Sequence, residues 1–189
     1  LTLAGCVQPV LAPNINAATA RVFDKLGIAL FEEAKAGCCG AVRFHLNDQS
    51  AARDDMRRNI DAWWPHIGGG IEAIVVTASG CGVQVRDYGH ALADDAVYAE
   101  KAAKVSELCR DPAEIIAAER QRMLDMLAQS RLERGRLAFH SPCTLQHGLK
   151  VRGIIEDFLS SAGYIISPSA DAHLCCGSAG TYSVLQPEL

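Results

Sequence analysis

Apolar and polar positions along the chain switch between the period of a helix and that of a strand. Leu1-Thr2-Leu3-Ala4 is an apolar start that ends at Gly5-Cys6, and Pro9 and Pro13 punctuate the loop beyond it. The spacing predicts a helix over Ala17 to Leu26, with Val22, Phe23 and Leu26 on one face, Asn14 or Asn16 as its cap and Gly27 as its stop. Ile28 to Phe31 reads as a buried strand, and Gly37-Cys38-Cys39-Gly40 follows as a loop. A second helix fits Ala51 to Trp64, carrying Met56, Ile60 and Trp63-Trp64, with Pro65 just beyond it and Gly68-Gly69-Gly70 as a break. Ile71 to Thr77 is the next strand and runs into Ala78-Ser79-Gly80-Cys81-Gly82.

From about Ala91 to Arg134 the pattern is helical and polar. Asp111-Pro112-Ala113-Glu114 carries a cap, a proline at N1 and an acidic first turn, ahead of a stripe of Ile115, Ile116, Met123, Leu124 and Leu127. Then the first pattern returns. Arg136 to Phe139 is a strand leading to Cys143, Val151 to Leu159 is a helix ending near Gly163, and Tyr164 to Ser167 is a strand leading to Cys175-Cys176-Gly177. Strands separated by helices argue for an α/β fold: two related βαβ-type modules with short parallel sheets. The expected division is a first module over 1–104, a helical connector over 105–135 and a second module over 136–189, truncated before a third strand that would carry a closing cysteine.

The 189 residues are 49% hydrophobic, enough for a real core. A net charge of −4 without a basic run excludes nucleic acid as a natural partner. No apolar run reaches membrane-spanning length, and no signal peptide is visible. The chain opens on Leu1 inside an apolar run, which reads as a piece of a longer protein.

Cysteine changes the picture most. Cys6 and the pair Cys38-Cys39 have 31 residues between them, and so do Cys143 and the pair Cys175-Cys176; both pairs run into a glycine. Disulfides fit poorly, because the chain has its own core and adjacent cysteines lie too close to bridge each other. If the strands are parallel, Cys6, Cys38, Cys39 and Cys81 all emerge at the carboxyl edge of one sheet, where open α/β sheets bind ligands. The flanking glycines let the backbone pass close to a bulky inorganic core. Four thiolates suit Zn(II) or an iron–sulfur cluster. The chain lacks the short C-x₂-C pairs of zinc ribbons, which favours iron–sulfur and leaves zinc as the alternative.

These residues resemble the cysteine-rich CCG domain found in heterodisulfide reductase, the lactate-utilisation iron–sulfur protein and related redox subunits. Asn59-Ile60-Asp61-Ala62-Trp63-Trp64-Pro65, Thr77 to Gly82, Pro142 to His147 and His173 to Tyr182 are similar in particular to the iron–sulfur subunit of bacterial glycolate oxidase. The resemblance covers essentially the whole chain. It implies a tandem CCG region whose thiols, Cys6, Cys38, Cys39, Cys81, Cys143, Cys175 and Cys176, hold iron–sulfur clusters of the 4Fe-4S kind, with only the first four forming a complete set. It also implies an amino-terminal ferredoxin-like region of the same protein and flavin (FAD) partner subunits that oxidise glycolate. Electrons would pass towards a quinone, in the cytoplasm or on the inner face of the cell membrane. The heterodisulfide reductase pattern closes each motif with C-x-x-C, whereas here the position three before Cys81 is Ala78, so cubane and non-cubane clusters both stay open. Two other readings remain: a disulfide- or quinone-reducing catalytic subunit of the heterodisulfide reductase type, and a zinc-stabilised docking scaffold.

Other residues have plainer roles. Cys109 reads as a partly buried packing residue on a connector. His140, His147 and His173 crowd the second thiol set as hydrogen-bonding partners or ligands, while His45, His66 and His90 have no repeated counterpart. Trp63-Trp64 packs a helix on the sheet or docks a partner. Arg43 and Arg86 follow motif cysteines and either offset cluster charge or sit on the surface.

Overall fold

The computed structural model describes residues 1–130, 133–175, 177, 182–186 and 188. A single helical turn, α1 (Gln8–Leu11), leads into α2 (Asn14–Lys25). Pro13, not an asparagine, occupies the α2 cap, because Asn16 is engaged elsewhere: its amide reaches Leu3 O and Glu32. A short α3 (Ala41–His45) precedes α4 (Gln49–Gly68), which Asp48 caps by accepting from the Ala51 N–H. Helix α4 runs through Pro65, whose missing N–H costs one ladder bond near the helix end without stopping it. The chain breaks at Gly69 and Gly70 instead, the latter at φ +89°.

Strand β1 (Ile74–Val75) is followed by α5 (Ser79–Arg86), α6 (Tyr88–Ala91) and α7 (Ala99–Leu108). Strand β2 (Cys109–Arg110) then pairs with β1 in parallel, Ile74 opposite Cys109 and Val75 opposite Arg110. Cys109 is therefore a strand residue, 1% exposed, and burial pushes its thiol up to about 12, as befits an inert packing thiol. Helices α8 (Pro112–Ala118), opened by the full Asp111/Glu114 capping box, and α9 (Arg120–Ala128) follow. The closing segment contains β3 (Arg136–Ala138), a π-helical turn at Thr144–Gly148, α10 (Ile154–Ser161), β4 (Ile165–Ser167) and α11 (Tyr182–Leu185). Strands β3 and β4 pair in parallel, with Leu137 opposite Ile166. The mixture of helices and short parallel strands is the α/β architecture expected.

The first sheet is wider than two strands. Thr2 bridges Val75 on one side and Glu32 on the other, both in parallel. The backbone bonds Leu3 N–H to Val75 O, Val75 N–H to Leu1 O, and Thr2 N–H to Phe31 O hold this layer together. The order in space is 31–32, 1–3, β1, β2, so chain order reverses across the 1–3 segment. Such a reversal is the topological switch point where α/β sheets open a crevice beyond their carboxyl ends. The 28–31 segment departs from the expected buried strand. It pairs only at its end, on the sheet edge, and Phe31 is exposed, its ring edge-on to His66.

Helix α4 supplies the main core through Met56, Ile60 and Trp63, spaced at helical period and packed with Leu1, Leu3, Ile74, Val85 and Val105. A smaller cluster of Ala113, Leu145, Leu149 and Val151 packs on Val83, so α5 packs against both hydrophobic clusters. An added Cβ at Gly82 would stand 3.2 Å from the Leu149 side chain. That glycine lets α5 lie close against the Leu149 side chain. No helix among the described residues is long and apolar enough to cross a membrane.

The two adjacent tryptophans divide sharply. Trp63 is fully buried, while Trp64 lies at the surface beneath the Lys101 ammonium, 5.5 Å from its ring. Trp63→Ala should destabilise the chain by about 3–5 kcal/mol through cavity formation, and Trp64→Ala by about 1 kcal/mol or less. Urea denaturation of the two variants side by side checks the difference.

Candidate metal centre

Each thiol-bearing turn follows one extended segment of the first sheet. Cys6 comes after 1–3, Cys38 and Cys39 after 31–32, and Cys81 after β1. Cys81 lies in the first turn of α5 rather than in a loop; the glycines on either side of it hide a helix from sequence periodicity. The sulfurs meet in a chain. Cys6 Sγ stands 3.5 Å from Cys38 Sγ, and Cys38, Cys39 and Cys81 follow closely enough for each thiol to shift the protonation of the next. The chain runs from the exposed Cys6 to Cys39 at 2% exposure. Beside it opens a largely apolar cavity of about 730 Å³, walled by Leu3, Val42, Phe44, Val83 and Gln84 among others. The described cysteines are all free thiols. Among the described residues, no three His, Cys, Asp or Glu side chains converge as a single bound ion requires.

Crowding dictates the protonation of this set. Hydrogen bonding to Cys39, then burial, holds the Cys38 thiol far above its ordinary range. Burial, then the contact with Cys38, raises Cys6. At Cys39 the hydrogen bond from Cys38 favours the thiolate, but the contact with Cys81 and burial outweigh it and push the thiol up to about 12. Cys81 moves the other way, because it accepts from Cys39. Four thiolates can coexist here only around a cationic centre. The nearby guanidinium groups are already committed: Arg43 and Arg58 both pair with the buried Asp55, and Arg86 pairs with Glu114. Ionising the whole set would need compensating charge from a group bound by the thiols. In number, kind and charge demand the set fits an iron–sulfur cluster.

A buried polar clamp fixes the Cys38-Cys39 turn. Asn59, fully buried on α4, accepts from the Gly37 N–H at 2.8 Å and donates to Cys38 O at 2.8 Å. It also donates to the Tyr88 hydroxyl at 3.0 Å, and that hydroxyl donates to Cys39 O at 2.9 Å. Arg58 adds a longer bond to Cys38 O. Asn59 sits in the Met56-Ile60-Trp63 apolar stripe, and a lone amide in such a stripe is a signal the sequence carries; Tyr88 has no comparable one. Behind Cys6, the Gln8 amide donates to Asn16 and to Thr77, and the Thr77 hydroxyl donates to Asn16. That network ties the Cys6 turn to α2 and to the end of the β1 segment.

The two Cys-Cys-Gly motifs share one local geometry. Gly40 at φ +87° donates its N–H to Cys38 Sγ at 3.4 Å, and Gly177 at φ +81° donates to Cys175 Sγ at 3.4 Å. Only glycine adopts this left-handed turn freely, and it aims a backbone N–H at the first thiol. Cys143 stands at the start of the π-helical turn, beyond β3, and Cys175 stands beyond β4, so both lie past the carboxyl ends of the second sheet. No sulfur–sulfur bond joins them among the described residues, and Cys176 lies outside those residues. His147 faces Arg152 at 3.0 Å rather than a thiol. His45 lines the cavity of the first set, a position sequence repetition does not reveal.

The sequence matches a known family. The cysteine-rich domain (CCG) profile covers residues 1–86 and 137–189, the two stretches that carry the thiol motifs. The chain belongs to the cysteine-rich domain family. Among curated relatives, the glycolate oxidase iron-sulfur subunit of Escherichia coli (strain K12) is 52% identical over the whole chain, which covers 45% of that relative. A probable glycolate oxidase iron-sulfur subunit of Bacillus subtilis (strain 168) is 23% identical over 98% of the chain and 40% of its own length. Lactate utilization protein A 2 of Bacillus mycoides (strain KBAB4) is 27% identical over 95% of the chain and 72% of its own length. The cysteine-rich chain thus spans less than half the length of the two glycolate oxidase relatives.

In this cysteine-rich domain Asn59→Ala should cost about 2–4 kcal/mol, because it strands buried groups on the Cys38 turn. Tyr88→Phe should cost about 1–2 kcal/mol, since Asn59 keeps its bonds to the turn. Denaturant unfolding of the metal-free chain, with thiol accessibility to an alkylating reagent as a second readout, tests the ranking.

Proposed function

We propose that Cys6, Cys38, Cys39 and Cys81 hold an iron–sulfur cluster of the 4Fe-4S type, and that the chain is the electron-transfer portion of the iron–sulfur subunit of a glycolate-oxidising complex. One observation carries this reading: four thiols from three separate turns line up at a sheet switch point, beside Arg43, Arg58 and Arg86 that are already paired with carboxylates. The names of the relatives support the complex and its substrate class.

The cluster would supply one-electron chemistry, and the chain would do the rest. The glycine N–H bond to Cys38 stabilises negative sulfur. The Asn59–Tyr88 clamp holds the turn of the Cys pair rigid. Burial at Cys39 shields one side of the site while Cys6 leaves the other open to a redox partner. On this reading the partners are flavin-bearing subunits that oxidise the 2-hydroxy acid, an amino-terminal ferredoxin-like region of the same protein, and a quinone-type acceptor. The working place is the cytoplasm, against the inner face of the membrane. Cys143, Cys175 and Cys176 belong to a second, incomplete set of three thiols, within the division 1–104, 105–135 and 136–189.

The apolar cavity beside the thiols favours one further reading, a catalytic subunit that reduces a disulfide or quinone at the first set. The two part on reductase activity in the isolated subunit, which electron transfer alone does not require. Anaerobic reconstitution of the full-length protein, followed by iron and sulfide assay and EPR, tests the cluster itself. Cys81→Ser should remove one EPR-active centre and its share of iron and sulfide. Stoichiometric zinc without sulfide in the parent protein would overturn the reading.

A further inference from the structure

Gln84 is a polar side chain placed where its chemistry has no visible use. It is 5% exposed, and its Nε2 has no hydrogen-bond partner among the described residues. It lies on α5 three residues after Cys81, so the two side chains share a helix face, and both line the cavity beside the thiols. The other buried polar groups around the site are fully employed. Asn59 and Tyr88 hold the Cys38-Cys39 backbone, and Asp55 holds Arg43 and Arg58. Trp63 Nε1 is also without a partner among the described residues, but Trp63 does not line the cavity.

A buried amide without an acceptor bears its full desolvation penalty, so such groups are almost always bonded to something. Cys81, one turn earlier on the same helix face, is a sulfur acceptor that lines the same cavity, and the sulfides of the cluster it would help hold add others. A carboxamide is the suitable donor there, because it offers N–H groups without adding charge to a set that already carries four thiolates.

We propose that the Gln84 side chain donates an N–H···S hydrogen bond to the cluster at its Cys81 side and thereby raises the cluster's reduction potential. This rests on the cluster assignment made above. Reduction places one more negative charge on the cluster, which strengthens a hydrogen bond to sulfur, so the donor stabilises the reduced state over the oxidised one. The Gly40 N–H plays the same part at Cys38, and the two donors approach from different elements.

The test is an EPR-monitored redox titration of the reconstituted full-length protein, following the signal that Cys81→Ser abolishes. Gln84→Met keeps the shape and removes the donor. It should move the reduction equilibrium about tenfold towards the oxidised form, a fall of about 59 mV for a one-electron couple. Gln84→Glu replaces the donor with a carboxylate and should lower the potential at least as far. Gln84→Asn, a shorter donor, should restore part of the shift. Pulsed EPR of the parent labelled with ¹⁵N in glutamine side chains should show a coupling to the reduced cluster that Gln84→Met removes; that signature holds even where a variant assembles poorly. An unchanged potential in both substituted clusters, or no glutamine coupling in the parent, overturns the proposal while leaving the cluster standing. A parent that takes up zinc without sulfide overturns both together.

Discussion

The parallel pairing of Leu1–Leu3 between two neighbours is the constraint on which the rest of the molecule depends. Thr2 bridges Glu32 on one side and Val75 on the other, and its hydroxyl donates to Val75 O at 3.0 Å. Because the three segments run the same way, their following turns gather at one edge, and those turns carry Cys6, Cys38-Cys39 and Cys81. The register is enforced by burial: Leu1 and Leu3 are both in the core, and a slip of one residue would turn them out and rotate the Cys6 turn away. Backbone pairing and hydrophobic burial therefore specify the same arrangement.

A thiol set of this kind works against itself electrostatically. Ionised sulfurs repel, and the arginines named at the site are all paired with carboxylates rather than with sulfur. Rigidity substitutes for charge. Asn59 and Tyr88 bind three backbone groups of the Cys38 turn from within the core, where the low dielectric strengthens each bond. The same low dielectric makes any unpaired polar group costly, so an amide such as Gln84 carries information about its surroundings.

Helix α5 ties together the two stretches that the family profile matches. Its glycine at 82 lets Leu149 approach, an added Cβ at Gly148 would collide with Val83, and Ser79 and Thr144 share a hydroxyl hydrogen bond of 2.6 Å. Arg86 bonds the carbonyls of Leu149 and Cys109. One short helix thus presents Cys81 and Gln84 to the cavity beside the first thiol set and packs against Leu149 through Gly82 and Val83.

Much of this was legible in the residues themselves. The repeated thiol spacing with a glycine after each Cys pair, the Asp111 cap with its proline and acidic first turn, and the apolar stripe of α4 are local patterns, and local patterns follow from the neighbours a residue has in sequence. Helix α5 was not legible, because the glycines around Cys81 erase its periodicity. Nor were the strand role of Cys109, the edge position of Phe31, or the engagement of Arg43 and Arg86 with Asp55 and Glu114. The sequence by itself determined which donors exist and that they recur at a set spacing. The tertiary structure alone decided which sulfurs touch and which amides hold them, since those contacts join segments tens of residues apart and depend on backbone pairing that no local period records.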